Sequence, residues 1–279
     1  MAEAFLVGGV RTPVGRYGGA LAGVRADDLA ALVVGEAVRR AGLDPSLVDE
    51  VVLGAANQAG EDNRNVARMA VLLAGLPVTV SAYTVNRLCA SGLTAIANAA
   101  RAIKSGEADV VVAGGVESMT RAPWVMAKPG TPWAKPGEVH DTALGWRFVN
   151  PRHDVEHTIT LGETAERVAA ADGITREESD AFGLQSQERA AKAIANGAFD
   201  AELVADGLEA LPGAAAQRDP RPGGGRSGEV KQIMSWAPGQ APTTLPADTG
   251  IAMAPGDFFV TQIHYHYTEE WADLPPDRS

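Results

Sequence analysis

Cysteine occurs once in 279 residues, so no internal disulfide can form and a secreted, stapled scaffold is excluded. Positive charge is short as well: 24 Lys and Arg stand against 35 Asp and Glu, a net charge of −11. With no Lys/Arg cluster to grip phosphates, a nucleic-acid partner is disfavoured. Long apolar runs are missing. Val110–Val116 is among the longest, far below the roughly 20 residues that a membrane helix needs, so no membrane partner is expected. Glu3 and the Gly8-Gly9 pair interrupt any secretory leader, and the expected location is the cytoplasm. A thiol used once in so long a chain is either inert core or chemistry.

What the chain does have is apolar content of 46%, ample for a core. To about residue 205 it alternates strand-like and helical stretches rich in Ala, Gly and Val. Phe5–Val10 and Glu50–Leu53 are short apolar runs of the strand kind. Asp27–Ala41 spaces Leu29, Leu32, Val33, Glu36, Ala37 and Arg40 as a helix, stopping at Gly42. Ala90–Lys104 places Leu93, Ile96, Ala97, Ala100 and Ile103 on one face, with Gly106 as its stop. Asp109–Ala113 reads as a strand buried on both faces, the kind found inside parallel sheets. Strand, helix and strand in alternation predict an α/β fold with crossover connections.

Pro123 to about Val155 loses periodicity and is read as a long, structured excursion. Helical patterning returns over Leu161–Asp172 and Arg176–Asn196, the second opened by a Thr175/Glu178 capping box. Pro212–Gly228, with five Gly and three Pro, reads as a linker or junction. Residues 229–279 hold six of the 17 prolines and read as a different, β-rich structure.

Asn86-Arg87-Leu88-Cys89-Ala90-Ser91-Gly92 is the stretch richest in chemistry. Cys89 follows an extended segment, Ser81–Val85, and opens the helix that begins at Ala90. Unpaired N–H groups and the positive end of a helix dipole there favour the thiolate, hence a nucleophile. Ala90, Ser91 and Gly92 leave room for a substrate. The bland alternative is a buried, unreactive small hydrophobe.

These residues resemble the nucleophile motif of thiolases, and further matches run over about 200 residues. Val10-Arg11-Thr12-Pro13-Val14-Gly15 is similar to the family's opening R-T-P-x-G. Gly54–Ala59 with Asn65-Val66-Ala67-Arg68 resembles its next segments. Gly114-Gly115-Val116-Glu117-Ser118-Met119 resembles G-G-x-E-S-M, and Gly162-Glu163-Thr164-Ala165-Glu166 the M-G-x-T-A-E segment. Asp141-Thr142 with Gly145–Pro151 is similar to the 3-oxoadipyl-CoA thiolase branch.

The resemblance implies a layered α/β/α N-terminal core half over 1–120, part of a loop domain over 121–205, a linker over 206–228 and the β-rich tail. It implies acyl transfer with acyl-CoA and CoA as partners, the CoA thioester being substrate and no cofactor being needed. Cys89 would take up the acyl group and pass it to free CoA. A homodimer or homotetramer is implied as well. Thr160 and Leu161 stand where many members place His-Met against the CoA pantetheine, which makes Leu161 a substrate-binding candidate. The family's C-terminal His, second Cys and N-E-A-F segment are absent from this sequence, so thiolysis by this chain alone is expected to be impaired. His140, His153 and His157 are read as solvated loop residues. Glu117 and the Gly114-Gly115 pair are read as structural, Glu117 pinning a loop near Cys89. The other readings are a non-catalytic subunit of the same fold and a ketoacyl-synthase-like condensing enzyme. Asn86 and the 114–119 motif favour the thiolase.

Val260–Tyr267 carries His264 and His266 on one strand face, an arrangement suited to copper or zinc. With Trp236–Gly239 and Pro255-Gly256-Asp257, the tail is similar to a fragment of a type II copper, ascorbate-dependent monooxygenase, in which His264 would be a copper ligand. The remaining His and Met ligands are lacking, so a working copper site is not expected. Two unrelated resemblances joined by a Gly/Pro stretch point to a fused, frameshifted or misassembled reading frame.

Overall fold

The computed structural model describes residues 3–57, 60–204 and 207–213. These fall into two compact units: the chain leaves the first after Phe148 and returns to it at Asp200. The stretch 214–279, with His264 and His266, lies outside the described residues.

The first unit is built on a three-stranded parallel sheet. Its strands are β1 (Glu50–Gly54), β2 (Ser81–Val85) and β3 (Val111–Gly115), in the order β2-β1-β3. Val52 is level with Tyr83 on one side and Ala113 on the other. After Glu50 the central strand is apolar, as befits one covered on both faces: Val51, Val52 and Leu53 are all buried. Period-two alternation sorts its side chains. Val51 and Leu53 join the cluster formed with Ala30, Val34 and Val38 of α1 (Ala26–Arg40) and Val66, Ala67, Ala70 and Val71 of α2 (Val66–Leu73). Gly54, on the other face, meets α3 (Ser91–Ser105). The result is a helix–sheet–helix sandwich, the α/β layering expected. Burying one such valine contributes roughly 1.5–3 kcal/mol.

Several expectations are corrected in detail. Asp109–Ala113 was expected to be buried on both faces; the strand is Val111–Gly115 and only half-buried, because it lies at the sheet edge. Phe5–Val10 forms no strand, and Phe5, Leu6 and Val7 are exposed. A strand requires a partner ladder, and Arg11 is the first residue to find one. Its N–H donates to the Glu202 carbonyl at 2.8 Å, and its carbonyl accepts from Val204 N–H at 2.9 Å. On α1 the buried residues are Asp27, Leu29, Ala30, Ala31, Val34 and Val38: of the positions spaced along the helix Leu29 is buried, while Leu32, Val33, Glu36 and Ala37 are only half-buried and Arg40 is exposed. On α3 the buried residues are Ser91, Thr94, Ala95 and Ala99, while Leu93 is 71% exposed. The sheet comes so close to this helix that only small side chains fit between them, and the longer apolar residues fall on the next stripe.

In the excursion, β4 (Trp124–Met126) and β5 (Val139–Asp141) pair antiparallel, Val125 opposite His140. The His140 ring packs edge-on against Phe148 at 4.9 Å, so it is half-buried rather than a solvated loop residue.

In the second unit, α4 (Leu161–Asp172) and α5 (Arg176–Ala195) begin at threonine caps. Thr160 Oγ1 accepts from Glu163 N–H at 3.1 Å. At Thr175 both halves of the expected capping box form: Oγ1 accepts from Glu178 N–H at 3.1 Å, and Glu178 Oε2 accepts from Thr175 N–H at 2.9 Å. Among the described residues no helix is long and apolar enough to cross a membrane.

Candidate active site

Cys89 sits in the turn between β2 and α3, two residues before the first helical residue, and its side chain is exposed. Among the described residues its Sγ has no hydrogen-bond partner. The turn is tight. Leu88 adopts φ +49°, a left-handed conformation that a bulky residue takes only when its surroundings hold it there. Three devices do so. Ser91, buried at the helix start, uses one hydroxyl twice: Oγ accepts from Arg87 N–H at 2.8 Å and donates to the Leu88 carbonyl at 2.6 Å. Asn86 Oδ1 accepts from Leu88 N–H at 2.9 Å, while its Nδ2 donates to the Ala56 carbonyl at 2.9 Å. Gly54 lets the strand touch the helix. A Cβ at Gly54 would lie 2.4 Å from the Ser91 carbonyl carbon, closer than any real contact, so glycine alone fits.

The loop after β1 is held from the other side. Glu117, two residues beyond β3, accepts through Oε2 from Ala56 N–H at 2.8 Å and Asn57 N–H at 3.3 Å. Asn57 in turn donates to Thr142 Oγ1 at 3.0 Å and accepts from Arg147 Nη2 at 3.1 Å. Thr142 is buried and donates to the Pro123 carbonyl. The expected role for Glu117, pinning a loop near Cys89, is met by this geometry.

Beside this loop lies a cluster of charge. Arg121 grips Glu61 with two nitrogens and also donates to the Ala22 carbonyl at 3.1 Å. Its hydrogen bonding holds the Glu61 carboxyl below the usual range, against the opposing effect of burial. Arg25 pairs with buried Asp27. Burial, reinforced by Asp27, pushes the Asp28 carboxyl up. Asp49 binds the backbone N–H groups of Asp109 and Val110, which lowers its carboxyl and ties the entrances of β1 and β3 together.

A cleft of about 410 Å³ opens between residues 10–17, Leu29 and Val33 of α1, and residues 115–120. Cys89 does not line it. Leu161, the substrate-binding candidate, is the first residue of α4 and 80% exposed; it belongs to the second unit and the cysteine to the first. His153 and His157 are exposed, as expected. Among the described residues no group of three His, Cys, Asp or Glu side chains could hold a metal ion. Cys89, Asn86 and Glu117 carry signals in the sequence, whereas the parts that Gly54 and Ser91 play in the turn are missed there. The small-residue run around Ser91 was the available signal, and it was read only as space for substrate.

The comparisons with known proteins converge on this region. A family model described as "Thiolase, N-terminal domain" matches residues 4–211. Beta-ketoadipyl-CoA thiolase of Escherichia coli is 57% identical over 206 residues, covering 73% of this chain and 51% of the relative. Acetyl-CoA acetyltransferase of Syntrophomonas wolfei is 44% identical over 205 residues, covering 72% and 50%. Among solved structures, the acetyl-CoA acetyltransferase of Bacillus anthracis matches with a TM-score of 0.63 at 43% identity, over 70% of this chain and 48% of that one. The chain belongs to the thiolase family, by way of that family's N-terminal domain. It spans about half the length of the relatives it matches.

Proposed function

We propose that this chain is the nucleophile-bearing half of a thiolase-type acyltransferase acting on 3-oxoacyl-CoA and CoA. The observation that carries the reading is the exposed Cys89 Sγ in a turn forced into a left-handed conformation at a helix start. In thiolysis Sγ bonds to the 3-keto carbon and the C2–C3 bond breaks. Its electron pair leaves as an acetyl-CoA enolate, which takes up a proton. The acyl thioester on Cys89 then passes to the thiol of a second CoA, which restores the cysteine. A 3-oxoadipyl chain is the acyl group we favour, since the relative at 57% identity is named for that substrate. Leu161 is assigned to the pantetheine arm, and residues 1–120, 121–205, 206–228 and 229–279 to core half, loop domain, linker and tail. Self-association as a homodimer or homotetramer belongs to the same reading. So does a reducing, cytoplasmic setting, in which a lone thiol persists. No resident cofactor is assigned.

Because Sγ lacks any partner among the described residues, a second reading is a subunit of this fold that does not turn over. One experiment separates the two. Iodoacetamide at about pH 6 should label Cys89 faster than glutathione if the turn favours the thiolate, and no faster if the thiol is inert. Purified chain offered acetoacetyl-CoA or 3-oxoadipyl-CoA together with free CoA should form acyl-enzyme without sustained turnover. Sustained turnover would refute the assignment of a half-site. Metal analysis with a His264→Ala control tests the copper reading of the tail.

A further inference from the structure

We propose that Glu117 is a positioning residue for Cys89, acting through the Ala56–Asn57 peptide and the Asn86 side chain; the inference rests on the reading of Cys89 as nucleophile. The peptide group joining Ala56 to Asn57 is bound at both ends. Its N–H donates to Glu117 Oε2 at 3.3 Å, and its C=O accepts from Asn86 Nδ2 at 2.9 Å. The preceding amide, Ala56 N–H, donates to the same carboxylate oxygen at 2.8 Å. A flip of this peptide would aim its carbonyl at a carboxylate, so Glu117 enforces one orientation by charge as well as by hydrogen bonding. That orientation fixes which way round Asn86 must lie, with Nδ2 toward Ala56 and Oδ1 toward Leu88 N–H. Leu88 is the residue at φ +49° that presents Cys89. The relay therefore runs from Glu117 to the peptide, to Asn86, to Leu88, to the thiol, and polarisation along it strengthens each bond.

The strand edge supports the relay without belonging to it. Val116 N–H donates to the Gly54 carbonyl at 3.0 Å and Ala55 N–H to the Val85 carbonyl at 3.1 Å, so the backbones carrying Glu117 and Asn86 stay in place when either side chain is cut. This separates positioning from folding.

The test is the rate of Cys89 alkylation by iodoacetamide as a function of pH, in the full chain. Losing the carboxylate in Glu117→Ala should slow alkylation about tenfold, the size expected for one charge-assisted hydrogen bond. Glu117→Gln keeps an acceptor and should recover most of the rate. Asn86→Ala should match Glu117→Ala, and the double variant should be no slower than either, because groups in series do not add. Hydrogen exchange at Leu88 N–H should quicken in Glu117→Ala while amides of α2 stay unchanged. An unchanged alkylation rate in Glu117→Ala, or single losses that multiply in the double variant, would overturn the proposal. A wild-type thiol no more reactive than glutathione would sink the reading of Cys89 instead, and exchange at Leu88 would still decide whether Glu117 holds the turn.

Discussion

The start of α3, beside Cys89, and the starts of α4 and α5 are held by different means. Every helix leaves N–H groups unsatisfied in its first turn. At α4 and α5 a threonine at the cap answers from three residues away, and at Thr175 a glutamate returns the bond. At α3 the cap residue is Ala90, with no side-chain bond to give. Its turn is held instead by Ser91 from inside the helix, by Asn86 reaching back to Ala56, and by Gly54 pressed against it. A side-chain cap closes a helix end; bracing the turn ahead of the helix leaves that end without a side-chain cap, with a thiol beside it. The second arrangement leaves the approach to an exposed thiol clear and fixes the backbone behind it.

The sharpest way to break this comparison is Gly54→Ala. The added Cβ would meet backbone that cannot yield, and the expected loss is about 3 kcal/mol, the upper end for overpacking. Urea unfolding should report it, together with altered Cys89 alkylation. Ser91→Ala comes next. It deletes a buried hydroxyl that makes two bonds, for an expected cost of about 1–3 kcal/mol, and alkylation should slow with it. Thr175→Ala should cost about 1 kcal/mol, the usual value of a cap, while Cys89 alkylation stays at the wild-type rate. A change in that rate would show that the two kinds of helix start are not independent.

The smallest expected effect is on pH dependence. Arg121 lowers the Glu61 carboxyl from 4.5, so the folded protein binds that proton more weakly than the unfolded chain. The resulting stability is complete above 4.5 and fades as the pH falls through the lowered value. Urea midpoints measured downward from neutrality should decline in that acid range, and Arg121→Met should flatten the decline. An equally steep decline in the variant would remove Glu61 as its source.

Much of this was legible in sequence, wherever the determining contacts are short in chain distance. The Thr175/Glu178 box, the Gly106 stop (φ +79°) and the boundaries of α4 required only neighbours a few residues apart. The central strand was legible because Val51, Val52 and Leu53 form the continuous apolar run typical of a strand covered on both faces. Phe5–Val7 is just as apolar yet stands exposed, because whether a run becomes a strand depends on a neighbour supplied from elsewhere. The α3 face was misread for a related reason. Its Leu and Ile spacing is helical, but Gly54 brings the sheet too close for anything larger than Ser, Thr or Ala.

By itself the sequence determined that Cys89 would stand where an extended segment passes into a helix, with small residues after it and Asn86 before it. Tertiary structure decided how that sulfur is held. Glu117 lies about 60 positions from the amides it binds, and Asn86 lies 30 from the carbonyl it reaches. Spacing within a segment is set by bonds along the chain and can be read from it. Contacts between the ends of neighbouring strands exist only once the sheet has closed, because it is the ladder of hydrogen bonds between β1, β2 and β3 that brings those ends together.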